Sequence, residues 1–351
     1  MKPCKEKQSF KGVHCLKLLV YSFKRLFYFL PILLCLIAIG FFLFYLIPAD
    51  PVRLIAGPYA TQEQTEKVRQ QYGLDKPLHV QFSKYLIRFF HGDLGTSIYT
   101  HRLVMEDLIN RAPATLELGF ASLMGSILLG IPVGVFVALR RNSWADHLCR
   151  AITIGGLAVA SFWLGIMVQL YLGYYLDLFP IGGRITPGTL LKNLTGFYLI
   201  DALLTLNMKA FFDTLLHLVL PATTLGLPCF ATIVRFTRGG VLDTLKSDCV
   251  LYERAMGLSR SVLVYKYILR SAITAPIVQI GLLIGYTIAG AIVVEKVFAW
   301  PGVGNFAATS IIMFDYNAIL GFTLWSGIAF CIGTLLADIA LALVDPREVS
   351  R

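Results

Sequence analysis

Long apolar runs separated by polar stretches set the pattern of this chain. Residues 26–47, 118–139, 151–176, 272–294 and 318–337 hold no Asp, Glu, Lys, Arg or His, and residues 215–234 hold only His217. Each run reaches the roughly 20 residues that a helix needs to cross the hydrocarbon layer of a bilayer. A segment in lipid finds no water to satisfy its backbone, so all six runs are predicted to be helices despite Pro31, Pro132, Pro221, Pro228 and Pro276 inside them. The pattern predicts an all-α, polytopic membrane protein with six transmembrane helices. No internal repeat, low-complexity tract or flexible linker interrupts it.

The polar pieces divide the rest. An N-terminal extension, 1–25, precedes the first helix, 26–47. Segment 48–117 mixes acidic and basic residues around predicted helical stretches at 62–72 and 78–90, too little for an enzyme domain. A five-helix core, 118–344, follows, with a 37-residue loop at 235–271 where a simple connection needs only a few residues. Residues 345–351 close the chain. Segment 177–214 opens with LFPIGGR and predicts a short apolar helix around 197–208. Segment 295–317 reads EKVFAWPGVG and then nine apolar residues too short to span, which predicts a re-entrant turn or an interfacial helix.

Composition and charge place these pieces. Hydrophobic residues make up 56% of the 351 and charged ones 15%, well under the roughly 25% of soluble domains. The net charge of +10 does not indicate a nucleic-acid partner, because the cations lie between hydrophobic runs rather than on one face with polar readers. Of the 31 Lys and Arg, 19 fall in 1–25, 140–150, 235–271 and 345–351. By the positive-inside rule both termini and the 235–271 loop are expected in the cytoplasm, with 48–117 outside it. The first run is too long for a signal-peptide core and is expected to stay as an uncleaved span. All seven cysteines then fall inside the cell or within spans, so no disulfide is expected, and none forms a metal-binding cluster.

Chemistry is sparse. The dipeptide Gly-Lys is absent, so the chain has no phosphate-binding P-loop, and no catalytic motif, cofactor site or metal site is read. Glu117, Asp213, His217, Glu295 and Asp338 lie at or near span edges, where interfacial or helix-packing roles are the favoured reading. Two stretches stand out. In 235–271, residues 246–256 predict a short helix, Gly257 a glycine stop, and Ser259 the cap of a second helix, presenting Val250, Leu251, Ala255 and Leu258 with Arg254 among them. Spacing alone fits either a solvated loop or a knob for a groove on a partner. In 295–304, Pro301 fixes a turn and Gly302 and Gly304 permit tight backbone, so Phe298 and Trp300 fit either an apolar plug facing outward or an interfacial aromatic anchor.

ERAMGLSRSVLVYKYILRSA at 253–272 resembles the cytoplasmic signature loop of ABC importer permeases, in the form carried by the dipeptide, oligopeptide and nickel permease family. IPADP at 47–51, YGLDKP at 72–77, HGDLGTS at 91–97, APATLELG at 112–119 and GIPVGV at 130–135 agree in the same order. So do LFPIGGR at 178–184, LPA at 220–222, EKVFAWPGVG at 295–304 and DPR at 345–347. The resemblance implies a fold like that of type I ABC importer permeases in a bacterial inner membrane. It implies half of a translocation pathway, completed by a second homologous permease, driven by two ATPase subunits and fed by an extracytoplasmic solute-binding protein. Carried over by position, Arg254, Ala255, Gly257 and Leu258 would couple to the ATPase, beside Glu253, where the family usually has alanine. Phe298, Trp300, Pro301, Gly302 and Gly304 are the outer gate candidates. Peptides are the expected cargo, with nickel or another small solute as the alternative. A secondary transporter would show repeats and buried acids, and a mere membrane anchor would need no ATPase.

Overall fold

The computed structural model describes residues 28–42, 61–63, 65–67 and 76–344. The expected terminal segments and the IPADP, YGLDKP and DPR stretches lie wholly or mostly outside the described residues, as does most of the helix expected at 62–72. The described residues form α1 (Tyr28–Phe42), α2 (Leu78–Phe90), α3 (Val104–Leu139), α4 (Trp144–Ala158) and α5 (Ser161–Tyr175). They continue with α6 (Tyr198–Leu204), α7 (Met208–Leu245), α8 (Asp248–Ala255) and α9 (260–272). The last three helices are α10 (Thr274–Val297), α11 (Val303–Ile312) and α12 (Tyr316–Val344). Among the described residues no strand forms, only an isolated bridge between Thr96 and Leu103.

Three helices, in α3, α7 and α12, are long and apolar enough to span, and five spans result if each of two bent pairs counts as one. With α1 inside the first expected run, the six-span pattern is compatible with the described helices. The helices differ from the apolar runs in length. With 36 and 38 residues, α3 and α7 reach about 55 Å, nearly twice the hydrocarbon thickness, so polar residues carry both helices beyond the apolar layer. Residues 104–117, expected in a loop segment, are the first part of α3.

The expected single helix at 151–176 is instead α4 and α5, bent by 106°. Val159 and Ala160 are both extended there (ψ 128° in each), ending one ladder before the next begins. The second bend, 48° between α9 and α10, precedes Pro276 in the first turn of α10, where a missing N–H costs little. Two π-wound segments, Gln169–Tyr175 in α5 and Leu263–Ile268 in α9, flank these bends.

The packing centre is α3 against α7, with α10 laid across both and α12 behind α10. GIPVGV shows why the first pair sits so close. A Cβ on Gly134 would stand 2.7 Å from that of Thr237, and one on Gly130 would stand 2.9 Å from Ile233 Cγ2. Small residues let two backbones approach, which is what drives helix association where lipid removes the hydrophobic incentive. Gly134→Ala should therefore destabilise the chain by about 1–3 kcal/mol through overpacking. Gly125→Ala, where a Cβ meets nothing within 4 Å, should be neutral or slightly stabilising. Thermal melting of both variants in detergent distinguishes them, and equal midpoints would refute the close-approach argument.

Between the long helices, polar groups fix the loops. The HGDLGTS turn is held by Asp93, which accepts from Arg88 Nε and Gly95 N, both at 2.8 Å. The Arg88 guanidinium, with the Gly95 N–H, keeps its carboxyl below the usual carboxylate range. Asp201 in α6 accepts from Leu194 N, Thr195 N, Thr195 Oγ1 and Gly196 N. Burial pushes its carboxyl up, and these hydrogen bonds outweigh the burial and hold it low.

Candidate functional site

Two places gather the expected site residues, at opposite ends of α10. At its α9 end, α8 stops after Ala255, Met256 N and Gly257 N donate to Tyr252 O and Arg254 O, and Gly257 turns the chain at φ +78°. Ser259 O then accepts from Leu263 N to open α9. Helix, glycine and helix are as the spacing predicted. Val250, expected on the presented face, is instead 4% exposed and packs with Val241, Leu263 and Ile268, because that side of α8 seats it on α7 and α9. What projects is Leu251 (54% exposed), Tyr252 (64%) and Met256 (65%), with Arg254, Ala255 and Gly257 exposed and Glu253 and Leu258 half-buried. The helix is thus seated by Val250 and leaves an apolar and cationic face exposed.

At the other end, α10 closes in a Schellman-type turn: Ala299 takes the left-handed conformation (φ 49°) and Trp300 N donates to Glu295 O at 2.8 Å. Phe298 and Trp300 are 1% and 0% exposed and pack with Leu118, Leu220 and Val294. Trp300 Nε1 donates to Ala114 O at 2.9 Å. The rings, which the sequence left open between an outward plug and an interfacial anchor, are buried within the chain, because the indole N–H finds its acceptor on α3 and the rings fill the gap beside it. Pro301 alone of the five expected gate residues is exposed.

Gly302 and Gly304 are tight for a reason the sequence hid. A Cβ on Gly302 would collide with the Glu295 carboxylate, and one on Gly304 would lie 2.7 Å from Ile292 Cα. Glu295, fully buried, accepts from Thr115 Oγ1 (2.6 Å) and Asn305 N (2.9 Å), while Thr115 Oγ1 accepts from Val303 N (2.8 Å). Together they satisfy N–H groups of the first turn of α11, which would otherwise be orphaned.

Two ion pairs, one buried and one partly buried, escaped the sequence reading. Arg184 of LFPIGGR donates through Nε (3.0 Å) and Nη2 to Glu117 Oε2, and through Nη2 to Gly196 O (2.8 Å). Its guanidinium lies 3.8 Å from the Tyr198 ring centroid. Arg238 of α7 donates to both oxygens of Asp146 at 2.8 and 2.9 Å, fixing the start of α4. Partners 67 and 92 residues apart carry no local signal; a charge beside an apolar run was the only hint. Among the described residues no His, Cys, Asp or Glu cluster could hold a metal ion.

The model of the binding-protein-dependent transport system inner membrane component matches residues 130–349, and the model of the N-terminal part of such membrane components matches residues 18–119. The chain belongs to this family. It is therefore a permease of the ABC-importer type and a multi-pass membrane protein, as the resemblance implied, and such components work with ATPase and binding-protein partners. It is 43% identical over 313 residues (88% of this chain, 91% of the relative) to the probable D,D-dipeptide transport system permease protein DdpB of Escherichia coli K12. It is 34% identical over 94% of its length to the dipeptide permease DppB of the same organism, of which it covers 98%. The glutathione transport system permease GsiC of Salmonella paratyphi A matches at 34% identity over 94% of this chain and 98% of that one. The MetNI methionine ABC transporter, solved in inward-facing conformations, shares the fold at TM-score 0.50 and 18% identity, over 70% of this chain and 98% of that one.

Proposed function

We propose that this chain forms half of the pathway through which an ABC importer moves short peptides, driven by ATPase subunits that dock on the α8–α9 knob. The observation that carries the reading is that knob: Leu251, Tyr252 and Met256 stand free beside Arg254 while Val250 ties α8 to the body of the protein. A groove that takes an amphipathic helix needs such anchors, and the seat on α7 and α9 gives a docked partner a rigid lever on the spans. Peptide cargo is favoured by the dipeptide and glutathione permeases among the relatives. One chain offers one knob, so two ATPase subunits call for a second, homologous permease. The excess of Lys and Arg in 235–271 supports a cytoplasmic knob and cytoplasmic termini.

The test is reconstitution. The chain, co-expressed with the permease, ATPase and binding-protein genes that neighbour its own, should import dialanine into vesicles in an ATP-dependent manner. Import without ATP, or a complex active with this chain as its sole permease, would defeat the reading. Cysteines introduced at Thr61 and Ser261 of a cysteine-free variant should label from outside and only after permeabilisation, respectively. Equal labelling would refute the orientation.

A further inference from the structure

The break between α4 and α5 borders a cavity of about 320 Å³, lined by Leu157, Val159, Ser161, Pro228, Thr232, Leu283 and Tyr286. We infer that this cavity is a passage site for the transported peptide, and that its uncharged, hydroxyl-bearing wall limits how large a peptide crosses. The inference rests on the peptide-importer reading above and locates a step of it.

Position comes first. Pro228 stands near the middle of α7, and Leu283 and Tyr286 stand in the middle of α10, so the cavity lies at mid-depth in the bundle. Backbone chemistry supports the same place. The last helical bond of α4 runs from Val159 N to Gly155 O and the first of α5 from Leu164 N to Ala160 O. The carbonyls of Gly156, Leu157 and Ala158 and the N–H groups of Ser161, Phe162 and Trp163 fall between these bonds, outside both ladders. Such groups are costly in hydrocarbon and are tolerated at membrane depth where they are buried in protein or line a water-filled space, and Leu157 and Ser161 among these residues line this cavity. A peptide carries the complementary donors and acceptors.

The side chains agree. Ser161, Thr232 and Tyr286 bring hydroxyls from three different helices, those of Ser161 and Tyr286 able to donate and accept. Thr232 gives its proton to Pro228 O and keeps its acceptor side. Leu157, Val159, Pro228 and Leu283 supply an apolar wall for small side chains. No lining residue carries a formal charge at neutral pH, so the ionised termini of a short peptide find no fixed partner and are held weakly. Weak holding suits passage, because a solute bound tightly halfway would not leave. The volume lies at the lower end of the roughly 300–1,000 Å³ of small-molecule sites, which suits a short peptide rather than a long extended chain.

The assembled transporter in vesicles provides the test, with dialanine and trialanine as probes. In a cysteine-free background, Ser161→Cys should react with a small charged thiol reagent and be protected by dialanine during transport, whereas Ile154→Cys, on α4 outside the cavity, should not be protected. Ser161→Leu and Thr232→Leu, which fill the space from two helices, should each cut dialanine import at least about tenfold while leaving assembly and basal ATP hydrolysis intact. Tyr286→Ala should raise trialanine import relative to dialanine. If the wild-type complex imports dialanine and these variants leave both the import and its size preference unchanged, or dialanine does not protect the Ser161→Cys thiol, the inference is overturned. If the wild-type complex imports neither peptide, the peptide reading itself falls, and the two failures are distinct.

Discussion

Arg184→Ala should destabilise the folded chain by about 3–5 kcal/mol, the cost of breaking a buried ion pair from one side. The Arg184 and Glu117 side chains are 7% and 5% exposed. Arg184 satisfies Glu117 Oε2 twice, caps Gly196 O and lies over Tyr198, so one side chain pins the LFPIGGR segment and the start of α6 to α3. Without it, Glu117 keeps a single hydrogen bond, from Leu199 N at 2.8 Å, and a carboxylate is left in a region that water hardly reaches. Salt should not rescue the variant, because a buried charge is poorly screened. The paired change Arg184→Met with Glu117→Gln removes both charges and should cost less than Arg184→Ala alone, since the penalty comes from the orphaned charge rather than from a lost attraction. Melting midpoints in detergent across the single and double variants decide the matter. A midpoint for Arg184→Ala within a degree or two of the parent would mean that the loop is held by packing alone.

How far such features could be read beforehand depended on the range of the interaction. Six apolar runs announced helices because a lipid-exposed backbone has few alternatives, and α2 was predicted as a helical stretch at its observed bounds, 78–90. Helix ends were less legible. The α3 helix starts 14 residues before its apolar run and α7 ends 11 after its own, since polar residues continue a ladder in water as well as apolar ones do in lipid. The α4–α5 break was hidden because an uninterrupted apolar run holds no proline or charge there, only the pair Gly155 and Gly156. Gly257 was legible because a glycine stop acts on its nearest neighbours. Which way Trp300 faces stayed open between plug and anchor because its acceptor, Ala114 O, lies 186 residues away, and a separation of 180 residues concealed Glu295 and Thr115 as the cap of α11.

Gly257→Asp should leave insertion and pairing with the second permease near normal while abolishing import and weakening ATPase binding. The separation follows from the geometry. Gly257 sits at φ +78°, where a side chain costs about 1–2 kcal/mol of backbone strain, and aspartate is among the residues that bear this conformation best. A Cβ there meets nothing within 4 Å, so the chain itself raises no steric objection. The new carboxylate projects from the knob beside Arg254, between the exposed Met256 and the start of α9, where the proposed ATPase groove must close. It thickens the turn, offsets the neighbouring positive charge and brings a solvated anion to a surface that docking would dry. Glu253→Ala, at a half-buried position on α8, neither strains the backbone nor enlarges the knob and should be tolerated. Gly257→Ala separates the two contributions: it adds the backbone strain without the charge, and import reduced but not lost would show that bulk and charge at the groove matter beyond the turn. Co-purification of the ATPase subunits, measured beside dialanine import in intact cells, reads both quantities. Undiminished import by Gly257→Asp would make the α8–α9 segment a solvated connector and place the coupling contact elsewhere on the chain.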